Sequence, residues 1–232
     1  VSCGAAGVDR FCPRCGQRHR DRTPTAREFF RDIRGTLMDL DWPTRCTMRD
    51  FMRPGRLTIG WLERKYSKHI SPIRLYIIAS AVYFLISHSV EGASVLFVRF
   101  GNKDEAAALR GATELTIVGL LPYFGGIVAL ARRRLGLGYV AHLVFAMHVQ
   151  VAWMVLLTLA VFFEWFSLLL TGKSFTAEFD AASVLCVAYL ATALRTVYEL
   201  GWPRAVLEAV LMVFAYSVGF AALIFAIRLV AL

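Results

Sequence analysis

The sequence lacks the short motifs by which common catalytic sites are recognised. It contains no G-x-S-x-G, no Walker A loop, no H-E-x-x-H and no G-x-G-x-x-G. It also shows no strong internal repeat, which argues against a transporter built from inverted repeats. These absences predict that the chain is not an enzyme, and they leave binding, regulation and transport as the classes to weigh.

Cysteine is scarce and unevenly placed. The five cysteines are an odd number, and three of them fall within the first 15 residues. Such spacing is typical of a metal site rather than of a disulfide framework, and it favours a reducing compartment. Residues 1–22 also lack the apolar core of a cleavable signal peptide. We therefore expect the first membrane span to direct insertion.

Acidic residues are outnumbered by basic ones, 17 against 26, and the imbalance is greatest near the start. Residues 1–74 carry 16 of the Lys and Arg but only 8 of the Asp and Glu. Nucleic acid, anionic lipid or a cytoplasmic location under the positive-inside rule would each account for this charge. The last is favoured. Nucleic acid is not, because Phe11 is the one aromatic residue that could stack among the first arginines.

Long apolar runs dominate the rest of the chain. Hydrophobic residues make up 57% and the mean hydropathy is +0.55, above the share usual in soluble domains. The fold class predicted is an all-α polytopic membrane protein with a transmembrane domain over residues 73–232. Five spans are predicted, at about residues 73–90, 113–131, 139–163, 182–198 and 205–227.

The basic residues also predict an orientation. With the N-terminus inside, 21 of the 26 Lys and Arg fall in cytoplasmic segments and 5 fall outside. This distribution favours a cytoplasmic N-terminus and an external C-terminus.

One cluster stands out before the spans, Cys12-Pro13-Arg14-Cys15-Gly16-Gln17. Two thiolates two residues apart, followed by glycine, are typical of a zinc-ribbon knuckle, and a structural Zn²⁺ takes four ligands. Cys3, Cys12 and Cys15 supply three. The fourth is either a cysteine just before Val1, in which case the knuckle over residues 1–22 is truncated, or His19. Metal would then supply the folding energy of so short a segment.

Residues 23–70 read as amphipathic helices. Phe29, Phe30, Ile33, Leu37 and Leu40 recur at helical spacing, with arginines on the other faces. Such a helix suits the membrane surface, and packing on the membrane domain or on a partner protein is an equal alternative.

Four polar residues within or beside the spans are candidate site residues. His142 and His148 lie in the third span about 120° apart, which is a poor geometry for two ligands of one metal. Hydrogen bonds between helices are favoured over a ligand or proton-relay role. Arg195 and Glu199 are four residues apart and are predicted to pair on one helix face, as anchors or as a gate.

Taken in order, several short motifs resemble a bacterial membrane family named domain of unknown function 3667. They are the two cysteine motifs, Arg53-Pro54-Gly55-x-Leu57-Thr58, Ile70-Ser71-Pro72-x-x-Leu75-Tyr76 and the segment from His142 to His148. The resemblance implies a bacterial inner-membrane protein with an N-terminal zinc ribbon, of which the first cysteine is missing here. It implies no activity.

Three functions follow as hypotheses. The first is a membrane protein whose cytoplasmic zinc ribbon docks a partner protein or regulates the spans. The second is a small transporter or channel subunit, which with five spans would need to form a homo-oligomer. The third is a membrane enzyme that uses His142 or His148, and it rests on those two residues alone.

Overall fold

The computed structural model describes residues 44–65, 69–89, 116–171 and 177–231. The predicted zinc ligands lie outside these ranges, namely Cys3, Cys12, Cys15 and His19. The predicted amphipathic helix that contains Phe29, Phe30, Ile33, Leu37 and Leu40 also lies outside them. Within them the chain is helical and contains no strand, which confirms the all-α prediction for this part of the protein.

Seven α-helices follow one another in the described residues. They are α1 (Thr44–Phe51), α2 (Arg56–Leu62), α3 (Pro72–Ser89), α4 (Leu121–Ala131), α5 (Tyr139–Thr171), α6 (Ala177–Tyr198) and α7 (Trp202–Ala231). A short 3₁₀ helix (Arg133–Leu135) lies between α4 and α5.

Local sequence explains where several helices begin. The Ser71 hydroxyl accepts a hydrogen bond from the Arg74 amide at 3.3 Å, so Ser71 caps α3 with proline at the next position. Residues 116–119 form a helical turn that is interrupted at Leu120, just before Pro122. A proline has no amide hydrogen to donate, so an irregularity here is expected.

Helix α5 is the central element of the bundle. It packs against α3, α4 and α6, and also against the short helix α2. Every residue from 140 to 152 is buried. At about 1.5 Å per residue its 33 residues extend for about 50 Å, which is more than the hydrocarbon core of a bilayer.

The contacts show that α3 to α7 alternate in direction. Tyr76 of α3 contacts Gln150 of α5 near the starts of both helices. Tyr198, at the end of α6, contacts His142 at the start of α5. Glu208, at the start of α7, contacts Arg132 beside the end of α4. The α4–α5 and α6–α7 connections therefore lie at the same end of the bundle.

Three of these helices are long and apolar enough to cross a membrane: Tyr139–Thr171, Ala181–Tyr198 and Trp202–Ile227. The apolar helices at Pro72–Ser87 and Thr116–Ala131 are shorter than this requirement. Large apolar side chains cover the outside of the bundle, among them Leu85, Phe163, Leu169, Leu207, Phe214 and Phe225. Such a surface fits a membrane protein, because in water it would be costly.

Candidate functional site

The two short helices α1 and α2 are packed on the side of the bundle and are connected to it by polar contacts. We call residues 44–65 and 69–71 the α1–α2 segment. It contacts α5 and α6 through α2, and the Tyr189 hydroxyl of α6 donates a 3.4 Å hydrogen bond to the Phe51 carbonyl. The sequence predicts helices here, and the structure adds that they lie against the bundle.

Buried polar residues on one face of α1 hold the chain that enters α3. The Thr47 hydroxyl accepts a hydrogen bond from the Ile70 amide at 3.0 Å. The Asp50 carboxylate lies 2.8 Å from Nε2 of His69, and its other oxygen lies 3.3 Å from Arg49. Thr47 lies within α1, in its first turn.

The next contact joins the α1–α2 segment to the central helix. Thr58 of α2 and Nδ1 of His148 share a hydrogen bond of 2.9 Å, and both side chains are buried. On α2, Gly60 lies against the ring of His69, where an added Cβ would come within 2.8 Å of the imidazole. Positions 58 and 60 differ by about 200° around a helix. Helix α2 therefore separates the two histidines, with one on each side.

Gly55 brings the start of α2 against α6. Its φ of 87° is in the left-handed region, and an added Cβ would lie 2.9 Å from Val197 and 3.2 Å from the Ala193 carbonyl oxygen. Glycine is required here by its backbone conformation and also by the neighbouring helix.

A second polar cluster lies at the end of the bundle that carries the basic connections. Nδ1 of His142 is 3.0 Å from the Tyr198 hydroxyl, and the two rings stack. The buried Arg132 guanidinium lies 5.1 Å from the centre of the Tyr198 ring and forms an ion pair with Glu208. Glu208 also binds Arg204 at 2.8 Å. These contacts fix the ends of α4, α5, α6 and α7 relative to one another.

The predicted pairing of Arg195 with Glu199 is wrong. Helix α6 ends at Tyr198, and Glu199 has a φ of 53°, so the two residues do not share a helix face. The Arg195 guanidinium lies instead over the ring of Trp202, 4.8 Å from its centre. Glu199 is exposed. The sequence signal that could have shown this is Gly201 with the proline at 203, which together end one helix and start another.

The structure also reveals a buried polar chain that the sequence reading missed. The Tyr76 hydroxyl donates a 3.0 Å hydrogen bond to Oε1 of Gln150, and Nε2 of Gln150 donates a 3.3 Å bond to the Tyr216 hydroxyl. The three residues come from α3, α5 and α7. A glutamine in the middle of an apolar span is a signal for such a partner.

His142 and His148 are thus each bonded to a different element, and neither shares a partner with the other. Among the described residues no group of three His, Cys, Asp or Glu side chains is placed to hold a metal ion.

The Asp50–His69 contact predicts a pH dependence. Burial raises the pKa of the Asp50 carboxyl, but the hydrogen bond with His69 and the charge of Arg49 outweigh burial, so the pKa is below its ordinary 3.8. The ionised carboxylate therefore stabilises the fold above about pH 4, and this contribution is lost as the pH falls through the folded-state pKa.

Asp50→Asn is expected to lower the free energy of unfolding at pH 6 by about 1.5–3 kcal/mol, the usual contribution of a hydrogen bond to a charged group. The difference between wild type and variant should shrink below pH 4. Unfolding in mixed detergent micelles at pH 6, 5, 4 and 3 measures it. A difference that is constant over this range would contradict the assignment.

Comparison with known proteins adds one finding to this geometry. Residues 46–84 match the model of a family described as protein of unknown function (DUF3667). The matched residues run from α1 to α3 and include Asp50, Gly55, Thr58, His69 and Tyr76. No curated protein and no solved structure matches the chain.

Proposed function

We propose that this chain is a non-catalytic integral membrane protein of the DUF3667 family, which the match over residues 46–84 supports. In this proposal the N-terminal head, residues 1–22, docks a partner, and the α1–α2 segment couples the head to the bundle. The Thr58–His148 hydrogen bond carries this proposal. It joins the segment that follows the head directly to the central helix.

The head precedes the α1–α2 segment in the chain. The α1–α2 segment is held by buried hydrogen bonds and by close backbone contact with α6. A displacement at the start of α1 would therefore reach α5 and α6. Docking at such a position could change the packing of the bundle.

In this proposal the head is a zinc ribbon that uses Cys3, Cys12 and Cys15, with either His19 or a preceding cysteine as the fourth ligand. A four-ligand zinc site has no open position for chemistry and supplies structure. The proposal further includes five spans in a bacterial inner membrane and a cytoplasmic N-terminus. The alternating directions of α3 to α7 support the five spans.

The orientation is supported by the geometry of the basic connections. Arg132–Leu135 and Arg204 lie at one end of the bundle, the end near which α2 contacts α5 and α6. Cytoplasmic connections carry such basic residues under the positive-inside rule.

Affinity capture from native membranes tests the docking role. The full chain and a Cys12→Ser/Cys15→Ser variant are compared, with Cys186→Ser as a control cysteine change in α6. The expected result is one protein that is captured by wild type and the control but lost with the double variant. Identical captured proteins for all three chains, at equal membrane levels, would refute docking by the head.

The coupling is tested at Thr58. Thr58→Val keeps the shape of the side chain but leaves Nδ1 of the buried His148 without its partner, at a cost of about 1–3 kcal/mol. Amide hydrogen exchange in α1 and α2 should accelerate by about tenfold or more, while exchange in the middle of α7 is unchanged.

Thr192→Val is the matched control for this change. The Thr192 hydroxyl donates only to the Ala188 carbonyl of its own helix at 2.8 Å, so its removal should change exchange in α1 and α2 little. If both valine variants give the same exchange profile, the Thr58–His148 contact does not hold the segment on the bundle.

A transporter or channel subunit is the second candidate, and the buried Tyr76–Gln150–Tyr216 chain favours it. Polar groups inside a membrane bundle often mark a solute path. Five spans would require a homo-oligomer to enclose a path. Purified protein in liposomes should then release a trapped solute or ion, and Gln150→Leu should abolish the release. Tight liposomes at every protein density would exclude this function.

A further inference from the structure

A partly open cavity lies between the helices of the bundle, next to the buried polar chain. Its volume is about 160 Å³, and its lining comes from α3, α5, α6 and α7 and the turn before α4. The lining includes Tyr83, Ile117, Trp153, Val187, Val213 and Tyr216. None of the residues that line the cavity lies in the α1–α2 segment, so the coupling proposed for that segment does not account for the cavity.

The size of the cavity limits what it can hold. An apolar cavity of about 150 Å³ inside a protein stays dry and holds one benzene ring. The cavity here is slightly larger, and aliphatic and aromatic side chains form most of its wall. An occupant with about the size of a six-membered ring and one small substituent would fill it.

The charge of the lining limits the chemistry further. None of the residues that line the cavity is Asp, Glu, Lys, Arg or His. Burying an unpaired charge in such surroundings costs far more than apolar contact returns. The occupant is therefore neutral.

The lining also includes polar groups, and one of them, the Tyr216 hydroxyl, offers a donor. The Tyr216 hydroxyl accepts a hydrogen bond from Nε2 of Gln150, which in turn accepts from Tyr76 through its oxygen. No acceptor among the described residues takes the Tyr216 proton. A buried hydroxyl whose proton is unused is costly, so an acceptor on the occupant would stabilise the site.

We propose that this cavity binds a small neutral apolar molecule of about one ring in size that carries one hydrogen-bond acceptor, to which the Tyr216 hydroxyl donates. The occupant enters from the bilayer, where such molecules concentrate. The alternative occupant is the acyl chain of a lipid, which has no acceptor at that depth. The proposal does not depend on docking by the head.

The test uses two probes that differ in the acceptor. Bromobenzene has none, while 4-bromobenzonitrile has a nitrile. In lipid nanodiscs the bromine of either probe quenches the fluorescence of Trp153 in the cavity wall, and Trp153→Phe identifies that part of the signal. The nitrile stretching frequency reports a hydrogen bond from Tyr216.

Saturable quenching by 4-bromobenzonitrile is expected, with a nitrile shift that is absent in Tyr216→Phe. That variant should lower the affinity for 4-bromobenzonitrile by about tenfold, the effect of one hydrogen bond of about 1.4 kcal/mol. Its affinity for bromobenzene should change by less than twofold. Tyr123→Phe is the control, because the Tyr123 hydroxyl bonds the Ala215 carbonyl and does not line the cavity.

A second variant, which fills the cavity, keeps the proposal testable if Tyr216→Phe does not fold. Val213→Phe places a ring in the cavity and should abolish saturable quenching while the protein keeps its melting temperature. Quenching that rises linearly with probe shows partition into the bilayer and overturns the proposal. If wild type binds both probes with equal affinity, the cavity is an acyl-chain site, and the proposed hydrogen bond from Tyr216 to an acceptor is refuted. Loss of partner capture by the head would leave all these results unchanged.

Discussion

Gly55→Val is expected to detach α2 from α6 and to lower the free energy of unfolding by about 2–5 kcal/mol. The left-handed conformation at this position costs an L-residue about 1–2 kcal/mol. The added side chain would meet Val197 and the Ala193 carbonyl oxygen, and overpacking of this kind costs about 1–3 kcal/mol more. The two costs act at the same point and together displace the start of α2.

Gly136→Val separates these two contributions. Gly136 also has a positive φ, of 66°, but an added Cβ there meets nothing within 4 Å. We expect this control to show the conformational cost alone, about 1–2 kcal/mol.

Equilibrium unfolding and hydrogen exchange of the α1–α2 segment provide the measurements for both glycines. Exchange in α1 and α2 should rise for the Gly55 variant only. Equal losses of stability at Gly55 and Gly136, with no change in exchange, would show that the contact with α6 is unimportant.

Glu208→Gln is expected to be the most damaging change at the basic end of the bundle. Arg132 is only 5% exposed, and its ion pair with Glu208 compensates the burial of its charge. Removing one partner of a buried ion pair leaves the other charge uncompensated and typically costs about 3–5 kcal/mol. The ends of α4 and α7 should separate, since this pair joins them.

Two matched changes isolate the buried pair. Arg204→Gln removes the other partner of Glu208, but the Arg204 side chain is 68% exposed, and an exposed pair contributes at most about 1 kcal/mol. Glu199→Gln removes an exposed carboxylate from the adjacent connection.

The free energy of unfolding in mixed micelles should be far lower for Glu208→Gln than for either control variant. A stability loss that is the same for Arg204→Gln and Glu208→Gln would mean that Arg132 does not depend on its buried partner.

Hydropathy and helical length predict much of this fold, because the apolar side chains of a membrane helix form long, uninterrupted runs. Helices cover the described parts of all five predicted spans, and three of these helices meet the length for crossing a membrane. The helix ends were less predictable. The predicted Arg195–Glu199 pair failed because a helix can end within one turn, and a spacing of four residues then no longer defines a shared face.

The candidate site was less accessible from the sequence than the spans. His148 was recognised as a polar residue inside a span, but its partner Thr58 lies 90 positions away in the chain. A single sequence does not show which distant residue meets it. The cavity results from the way α3, α5, α6 and α7 pack together, and no pattern in the sequence predicts it.

The burial of residues 140–152 also has a consequence for how the protein is made. When α5 enters the membrane, Thr58 and Tyr76 have already been synthesised, so His148 and the side-chain oxygen of Gln150 can find their partners at once. His142 has to wait for Tyr198, which is translated 56 residues later. Until α6 arrives, the His142 imidazole lacks the Tyr198 hydroxyl as its partner, so this contact between α5 and α6 forms only after residue 198 has been synthesised.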